Sequence, residues 1–399
     1  MGKKSTLKYM IKETDWLLYL LCVAMSIFGA FMVYSATYNT LSGDSFLGGT
    51  VSRDFIATAA GSFIGIVIGI IVSFIDYDFV LRLTPLIGAG CLVMMLLLFT
   101  PLGWAPADRP DAKCWFDLGI TKFQPSELVK IGFIITFSTH LEAVRDNISS
   151  FKNACLLTVH GMVPIVLVVL TGDVGSALVF IFIFVGLMFA AGLDLRYFAA
   201  AFVAGVIAVP LLWIKFLSQF QKNRLLAVYF PEALSETEYK TYIYQQARGL
   251  RAIGAGMLKG DGFLKGGLTQ SNYVPVSESD MIFSVVSEEL GFIGSVAVLL
   301  VLMIIIIKIF RVGADSRNQA GYFLCVGTGI MLASQAIINI GMCMSLLPCI
   351  GITLPFLSGG GSSNMCIYFG IGIVMSVYRF NCAREPENFR LAHLSTSYR

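Results

Sequence analysis

The sequence predicts an all-α integral membrane protein, a polytopic bundle of ten transmembrane helices with one long extracytoplasmic loop. Three observations predict it. The chain is 56% hydrophobic and only 13% charged, about half the charged fraction of a soluble domain, with a mean hydropathy of +0.78. Apolar runs of the length that covers a bilayer's hydrocarbon core recur along it. Lys and Arg alternate between the connections in the pattern of the positive-inside rule.

The first run, Trp16 to Ala36, follows Lys3, Lys4, Lys8 and Lys12 and is longer than a signal-peptide core. It is therefore predicted as a retained span. Further spans are expected at Phe55–Ile75, Leu83–Leu102, Phe123–Ala143, Ala154–Leu170, Val174–Gly192, Tyr197–Ile214, Met281–Ile307, Ala320–Leu347 and Gly351–Tyr378. In lipid each segment satisfies its own backbone hydrogen bonds, so these runs are read as helices. With the N-terminus inside, inner segments hold fifteen Lys and Arg, against four in short outer loops, namely Arg53, Arg109, Lys113 and Lys122. This places both termini in the cytoplasm. The stretch from Ser218 to Ser279 becomes the long outer loop, too short and glycine-rich for an independent domain. Residues 1–399 are read as one membrane domain. No internal repeat supports an inverted-repeat transporter.

Composition also excludes. A net charge of +3 with no basic stripe argues against a nucleic-acid partner. Nine cysteines form no CxxC pair, and His140, His160 and His393 are too scattered for a metal triad.

Intramembrane charges mark function by default. Glu127 and Lys130 in Phe123-Gln-Pro-Ser-Glu-Leu-Val-Lys130 are three apart and share a helix face. A structural ion pair and a catalytic role both stay open. Asp173 stands at a hairpin, where it suits a helix N-cap. Trp115 sits at the outer interface. Glu278 and Asp280 end the long loop, while Glu288 and Glu289 lie deeper in the next span, where low dielectric raises a carboxylate pKa and suits a general base. In Leu354-Pro-Phe-Leu-Ser-Gly-Gly-Gly-Ser-Ser363 a Pro and three glycines break helix geometry. Exposed N–H groups there either cradle an anion such as pyrophosphate or simply begin the last span.

Taken together, Phe123-Gln-Pro-Ser-Glu127, Asn339-Ile-Gly-Met342, Leu354–Ser363, and Glu278-Ser-Asp-Met-Ile-Phe283 with Glu288-Glu-Leu-Gly-Phe-Ile-Gly294 resemble the SEDS family of RodA, FtsW and SpoVE proteins. The resemblance runs in order over nearly the whole chain. Where the family has Gln-Pro-Asp-Leu-Gly, this chain has Thr171-Gly-Asp-Val-Gly175, and Lys113 and Cys114 replace an arginine beside Trp115. Asn339–Met342 and Ser73–Tyr77 look closest to the RodA branch.

The resemblance implies an inverting peptidoglycan glycosyltransferase of the bacterial plasma membrane, which polymerises lipid II for elongation and shape, with release of undecaprenyl pyrophosphate. Its partners would be lipid II, the nascent glycan and a class B penicillin-binding transpeptidase. Asp280 aligns with the family's essential acidic residue. Trp115, Glu127, Lys130, Asp173, Arg248, Arg251, Ser358, Gly360, Gly361 and Ser362 are the expected substrate-binding residues, with Lys259 and Lys265 as further cations for the leaving group. No cofactor is required by the residues, and a divalent cation, Mg2+ or Mn2+, is the one the leaving pyrophosphate leaves open. The rivals are a flippase for the lipid-linked precursor, a division- or sporulation-specific paralogue, and a non-catalytic scaffold.

Overall fold

The computed structural model describes residues 14–38, 51–106, 112–119, 122–215 and 217–382. Lys3, Lys4, Lys8, Lys12, Arg109, Arg384, Arg390 and Arg399 of the charge pattern, and His393, lie outside them. The helices are α1 (Trp16–Thr37), α2 (Arg53–Ser73), α3 (Tyr77–Arg82), α4 (Thr84–Leu97), α5 (Pro125–Ala143), α6 (Phe151–Leu170), α7 (Val174–Ala190), α8 (Leu195–Lys215), α9 (Gln219–Tyr229), α10 (Glu236–Ala255), α11 (Gly267–Gln270), α12 (Ile282–Ala314), α13 (Gln319–Cys343) and α14 (Gly361–Cys382). Five of them, α1, α2, α6, α12 and α13, are long and apolar enough to cross a membrane by length and composition. Apolar side chains such as Phe63, Leu86, Phe202 and Ile293 are exposed on the outside of the bundle, as lipid-facing positions require.

Polar residues set the helix starts. Asp15, Ser52, Ser150 and Asn318 accept backbone N–H groups at the N-termini of α1, α2, α6 and α13. Pro125 opens α5, where its missing N–H costs nothing.

Between the membrane helices, packing relies on small residues. Gly61, Gly65 and Gly69 recur every four residues on α2 and let α14 approach at backbone distance. A Cβ on Gly61 would lie 2.3 Å from Gly361 Cα, and one on Gly65 2.9 Å from Met365 Cα. Without a hydrophobic force between helices in lipid, such close van der Waals contact holds them together. α13 packs against α12, α7 and α5.

The last span begins at Gly361 rather than Gly351, and two further features differ from the sequence reading. The stretch Ser218–Ser279 is largely helical: α9 and α10 both begin in capping boxes, from Ser218 to Gln221 and from Ser235 to Glu238. Three short strands, β1 (Gly103–Trp104), β2 (Trp115–Asp117) and β3 (Lys122–Phe123), pair into an antiparallel sheet. Strands this short carry too little alternation to be read from sequence.

α12 is broken at Gly291, which has φ 65° and ψ −164°. The glycine-rich segment after α10 repairs the break. Phe292 and Ile293 N–H donate to the Met257 and Leu258 carbonyls at 2.9 and 3.2 Å, and Asp261 and Gly262 N–H donate to the Glu288 and Glu289 carbonyls at 3.0 and 2.9 Å. Gly260, at φ +76°, runs so close that a Cβ there would stand 2.2 Å from the Glu289 carbonyl oxygen. A helix break inside an apolar bundle survives where other backbone re-satisfies the freed groups, and the Met257–Gly262 backbone does so.

Candidate active site

The site lies at the end of the bundle where α5, α7, α12 and α14 begin. Its centre is the turn Glu278-Ser-Asp280 ahead of α12, clamped by two neighbours. The Asn339 side chain donates Nδ2–H to the Asp280 carbonyl at 2.9 Å and to the Ile352 carbonyl at 2.7 Å. From the glycine-rich loop, Ser358 Oγ donates to the Ser279 carbonyl at 2.7 Å, and Gly359 N–H donates to the Glu278 carbonyl at 2.7 Å. Gly359 is a steric requirement, since a Cβ there would lie 2.6 Å from that carbonyl. Val276 and Phe356, flanking the contact on either side, hold left-handed φ values of 54° and 67°. Such strain in a β-branched and an aromatic residue persists only where the surroundings over-determine it.

The Asp280 backbone is thus fixed while its side chain stays half-buried; its Oδ1 is 3.4 Å from Ser279 Oγ. A Cβ on Gly351 would stand 3.5 Å from Oδ2, so the chain passes beside the carboxylate without a side chain to cover it. Burial pushes the Glu278 carboxyl above its ordinary range, with the charges of Asp54 and Asp280 adding to the effect.

A second cluster adjoins through the first turn of α14. Lys130 Nζ is 2.7 Å from Glu127 Oε1, with both side chains buried. Ser363 Oγ donates to Glu127 Oε2 at 3.1 Å and lies 3.1 Å from Thr353 Oγ1. Asp173 caps α7 through Ser176 N–H and accepts from Gln124 Nε2 at 2.7 Å and Ser126 Oγ at 3.0 Å. The cap therefore also ties the start of α7 to the Gln124-Pro-Ser-Glu127 corner of α5. Next to it, Cys114 Sγ donates to the Thr171 carbonyl, which brings β2 and Trp115 to this end. The Trp115 ring meets Trp104 edge-on at 6.1 Å, and Lys122 Nζ stands 3.5 Å over the Trp104 ring.

The other expected residues divide. Ser358 is buried, and its hydroxyl is used within the fold, also accepting Leu354 N–H at 2.7 Å. Gly361 is pressed against the Ala57 carbonyl of α2, whereas Gly360 and Ser362 are half-buried, and a Cβ on Gly360 would make only ordinary contacts. Arg248 donates to the Tyr273 carbonyl at 2.8 Å and stacks between the Tyr244 and Tyr273 rings; Arg251 donates to Tyr273 Oη at 2.6 Å. Gly249 between them packs on Met281, next to Asp280. Lys259 and Lys265 are exposed further along. Glu288 has a role the sequence did not suggest: it accepts from Leu268 N–H, Thr269 N–H and Thr269 Oγ and so caps α11 from across the fold. Glu289 accepts from Ser35 and Gln270. His140 and His160, twenty residues apart, meet at 3.0 Å between their Nδ1 atoms. Among the described residues no group of three or more His, Cys, Asp or Glu comes together to hold a metal.

A profile of the family described as cell cycle protein, FTSW_RODA_SPOVE, matches residues 15–382. The peptidoglycan glycosyltransferase MrdB of Escherichia coli is 30% identical over 314 residues, covering 73% of this chain and 83% of that protein. The probable peptidoglycan glycosyltransferase FtsW of Geobacter sulfurreducens is 30% identical over 373 residues, covering 92% and 95%. Among solved structures, the rod shape determining protein RodA of Thermus thermophilus is similar at 25% identity and a TM-score of 0.66, covering 92% of this chain and 97% of that one. A chain from work on structural coordination of polymerization and crosslinking by a peptidoglycan synthase complex is similar at 24% identity and a TM-score of 0.74, covering 92% and 98%.

Proposed function

The chain belongs to the FtsW/RodA/SpoVE family of cell cycle proteins and is a peptidoglycan glycosyltransferase; from that premise we propose that it polymerises lipid II, with Asp280 as the general base. The observation that carries this is the clamp on Asp280. Its carbonyl is held from α13 and the preceding Ser279 and Glu278 from the glycine-rich loop, while its half-buried carboxylate stands beside Gly351. A general base needs such fixed placement to come within hydrogen-bond reach of an acceptor hydroxyl.

In this reading the 4-hydroxyl of the terminal GlcNAc of lipid II gives its proton to Asp280 as it attacks the anomeric carbon of the growing glycan. The carbon–oxygen bond to undecaprenyl pyrophosphate breaks in the same displacement. An α-linked donor becomes a β-1,4 link, so one base suffices. Gly360, Gly361 and Ser362 at the N-terminus of α14 offer N–H groups to the leaving anion. Arg248 and Arg251 add positive charge from α10. Asp173 and the Glu127–Lys130 pair hold the α5 and α7 corner against α14, Ser358 positions the Asp280 turn, and Trp115 supplies an apolar face for a sugar ring. A divalent cation, Mg2+ or Mn2+, would supply further positive charge to the leaving pyrophosphate; among the described residues no group of three or more His, Cys, Asp or Glu comes together to hold it.

All ten predicted spans cross the plasma membrane in this reading, with both termini cytoplasmic and Asp280 outside. Likeness to a chain of a peptidoglycan synthase complex supports a class B transpeptidase as partner. The RodA branch and an elongation role rest on Asn339–Met342; rescue of a division-defective rather than an elongation-defective strain would reassign the chain. The test is lipid II polymerisation by purified protein in detergent, where a flippase has no membrane to work across. Asp280→Asn should cut polymerisation by about 10²–10⁴-fold with folding unchanged. Near-wild-type synthesis would defeat the assignment, since Asn serves equally well for capping.

A further inference from the structure

A groove of about 210 Å³ opens between α4, α5 and α6, apart from the cluster around Asp280. Met95, Val129 and Leu167 line one end, and Gly88, Thr136 and His160 the other. Each helix contributes two turns, so the groove is roughly 10 Å long. Leu92 and Val163 at its lip are exposed on the outside of the bundle, where lipid would meet them. Its few polar groups are spent on one another: Thr136 Oγ1 is 3.2 Å from His160 Nε2, and His160 Nδ1 is 3.0 Å from His140 Nδ1. Its width comes from an absent side chain. A Cβ on Gly88 would touch only Thr136 Cγ2, at 3.6 Å.

The end at Met95, Val129 and Leu167 points to the site. One turn before Val129, Ser126 donates to Asp173. One turn beyond Leu167, the Thr171 carbonyl accepts from Cys114, beside Trp115. The groove therefore runs from the middle of the bundle to the underside of the Asp173 and Trp115 corner.

We propose that this groove seats the first isoprenoid units of the polyprenyl chain on the lipid-linked sugar. The inference rests on the glycosyltransferase reading and names where the lipid half of that substrate lies. A polyprenyl tail is chosen over a phospholipid chain because the groove ends beneath the corner that carries Trp115, the ring assigned to a sugar of the lipid-linked substrate. In lipid the tail gains no hydrophobic free energy by entering a protein groove. Its contribution is positional: it fixes the height and heading of the pyrophosphate before reaction.

The experiment pairs Gly88→Leu with Gly90→Leu. The first fills the groove; the second puts the same side chain on the same helix where nothing lies within 4 Å. Gly88→Leu should lower kcat/KM for undecaprenyl lipid II about tenfold, equivalent to ~1.4 kcal/mol, and Gly90→Leu should match wild type. In wild type, lipid II carrying a photoreactive group on its first isoprene units should label peptides spanning 129–136 and 160–167. That labelling should vanish in Gly88→Leu. Equal rates in the two variants, no labelling of these peptides, or labelling by a photoreactive phospholipid that excess lipid II does not displace would each overturn the groove assignment while wild type still polymerises. Wild type that makes no polymer would instead sink the glycosyltransferase reading.

Discussion

Replacing Lys130 by Met removes the ammonium 2.7 Å from Glu127 and leaves a buried carboxylate with the Ser363 hydroxyl on its other oxygen. Lys130 is 1% exposed and Glu127 6%, so water cannot replace the lost partner. Breaking a fully buried pair costs about 3–5 kcal/mol, most of it the uncompensated charge. At about 2.1 cal/mol/K of unfolding entropy per residue, a chain of 399 residues shifts by ~1.2 °C per kcal/mol, so this is a fall of roughly 4–6 °C in melting temperature. Glu127→Gln should cost a similar amount. The double variant Glu127→Gln/Lys130→Met removes both charges together and should recover much of the loss, since neutral replacement of a buried pair is often tolerated. Thermal unfolding of the four proteins in one detergent closes the cycle. Single variants that melt with wild type would refute the buried-pair argument. If they also lose polymerisation, Glu127 acts on the substrate rather than through packing.

Gly260→Ala should destabilise by about 1–3 kcal/mol, because it combines φ +76° with a Cβ 2.2 Å from the Glu289 carbonyl. Gly254→Ala, with nothing within 4 Å, should be neutral in the same melt. Glu278 has a carboxyl raised above its ordinary value of 4.5 by burial first. Its contribution to stability is therefore full below that value and is lost as pH rises through the folded pKa. Glu278→Gln should gain on wild type in thermal stability as pH is raised above 4.5, and parallel pH curves would contradict this. In intact cells, Glu232→Cys in the segment between α9 and α10 should react with an impermeant maleimide above the wild-type background, and labelling only after lysis would reverse the orientation.

The individual residues differ in how far they could be read in advance. The apolar runs and the Glu127–Lys130 pair were legible because hydropathy and i,i+3 spacing are local properties. Asp173 as a cap was legible for the same reason, but its bonds to Gln124 and Ser126 bridge about fifty residues, and nothing in the local pattern reports them. The segment Gly254–Gly262 fits no nucleotide fingerprint; its work of repairing the break at Gly291 appears only when the two backbones lie side by side. Ser358 carried the same sequence signal as Gly360, yet its hydroxyl is turned inward to Ser279 and Leu354.

By itself, the sequence determined a helical membrane protein and the order of its chemistry-bearing motifs, because the demand that backbone in lipid satisfy itself acts within each segment. Tertiary structure alone decided which carboxylates are consumed by the fold. Glu288 is spent on α11, and Glu127 on Lys130 and Ser363, and the turn that carries Asp280 is fixed by Asn339 and Ser358. That choice depends on which donors arrive from distant segments, since a buried carboxylate keeps its charge only where such donors meet it.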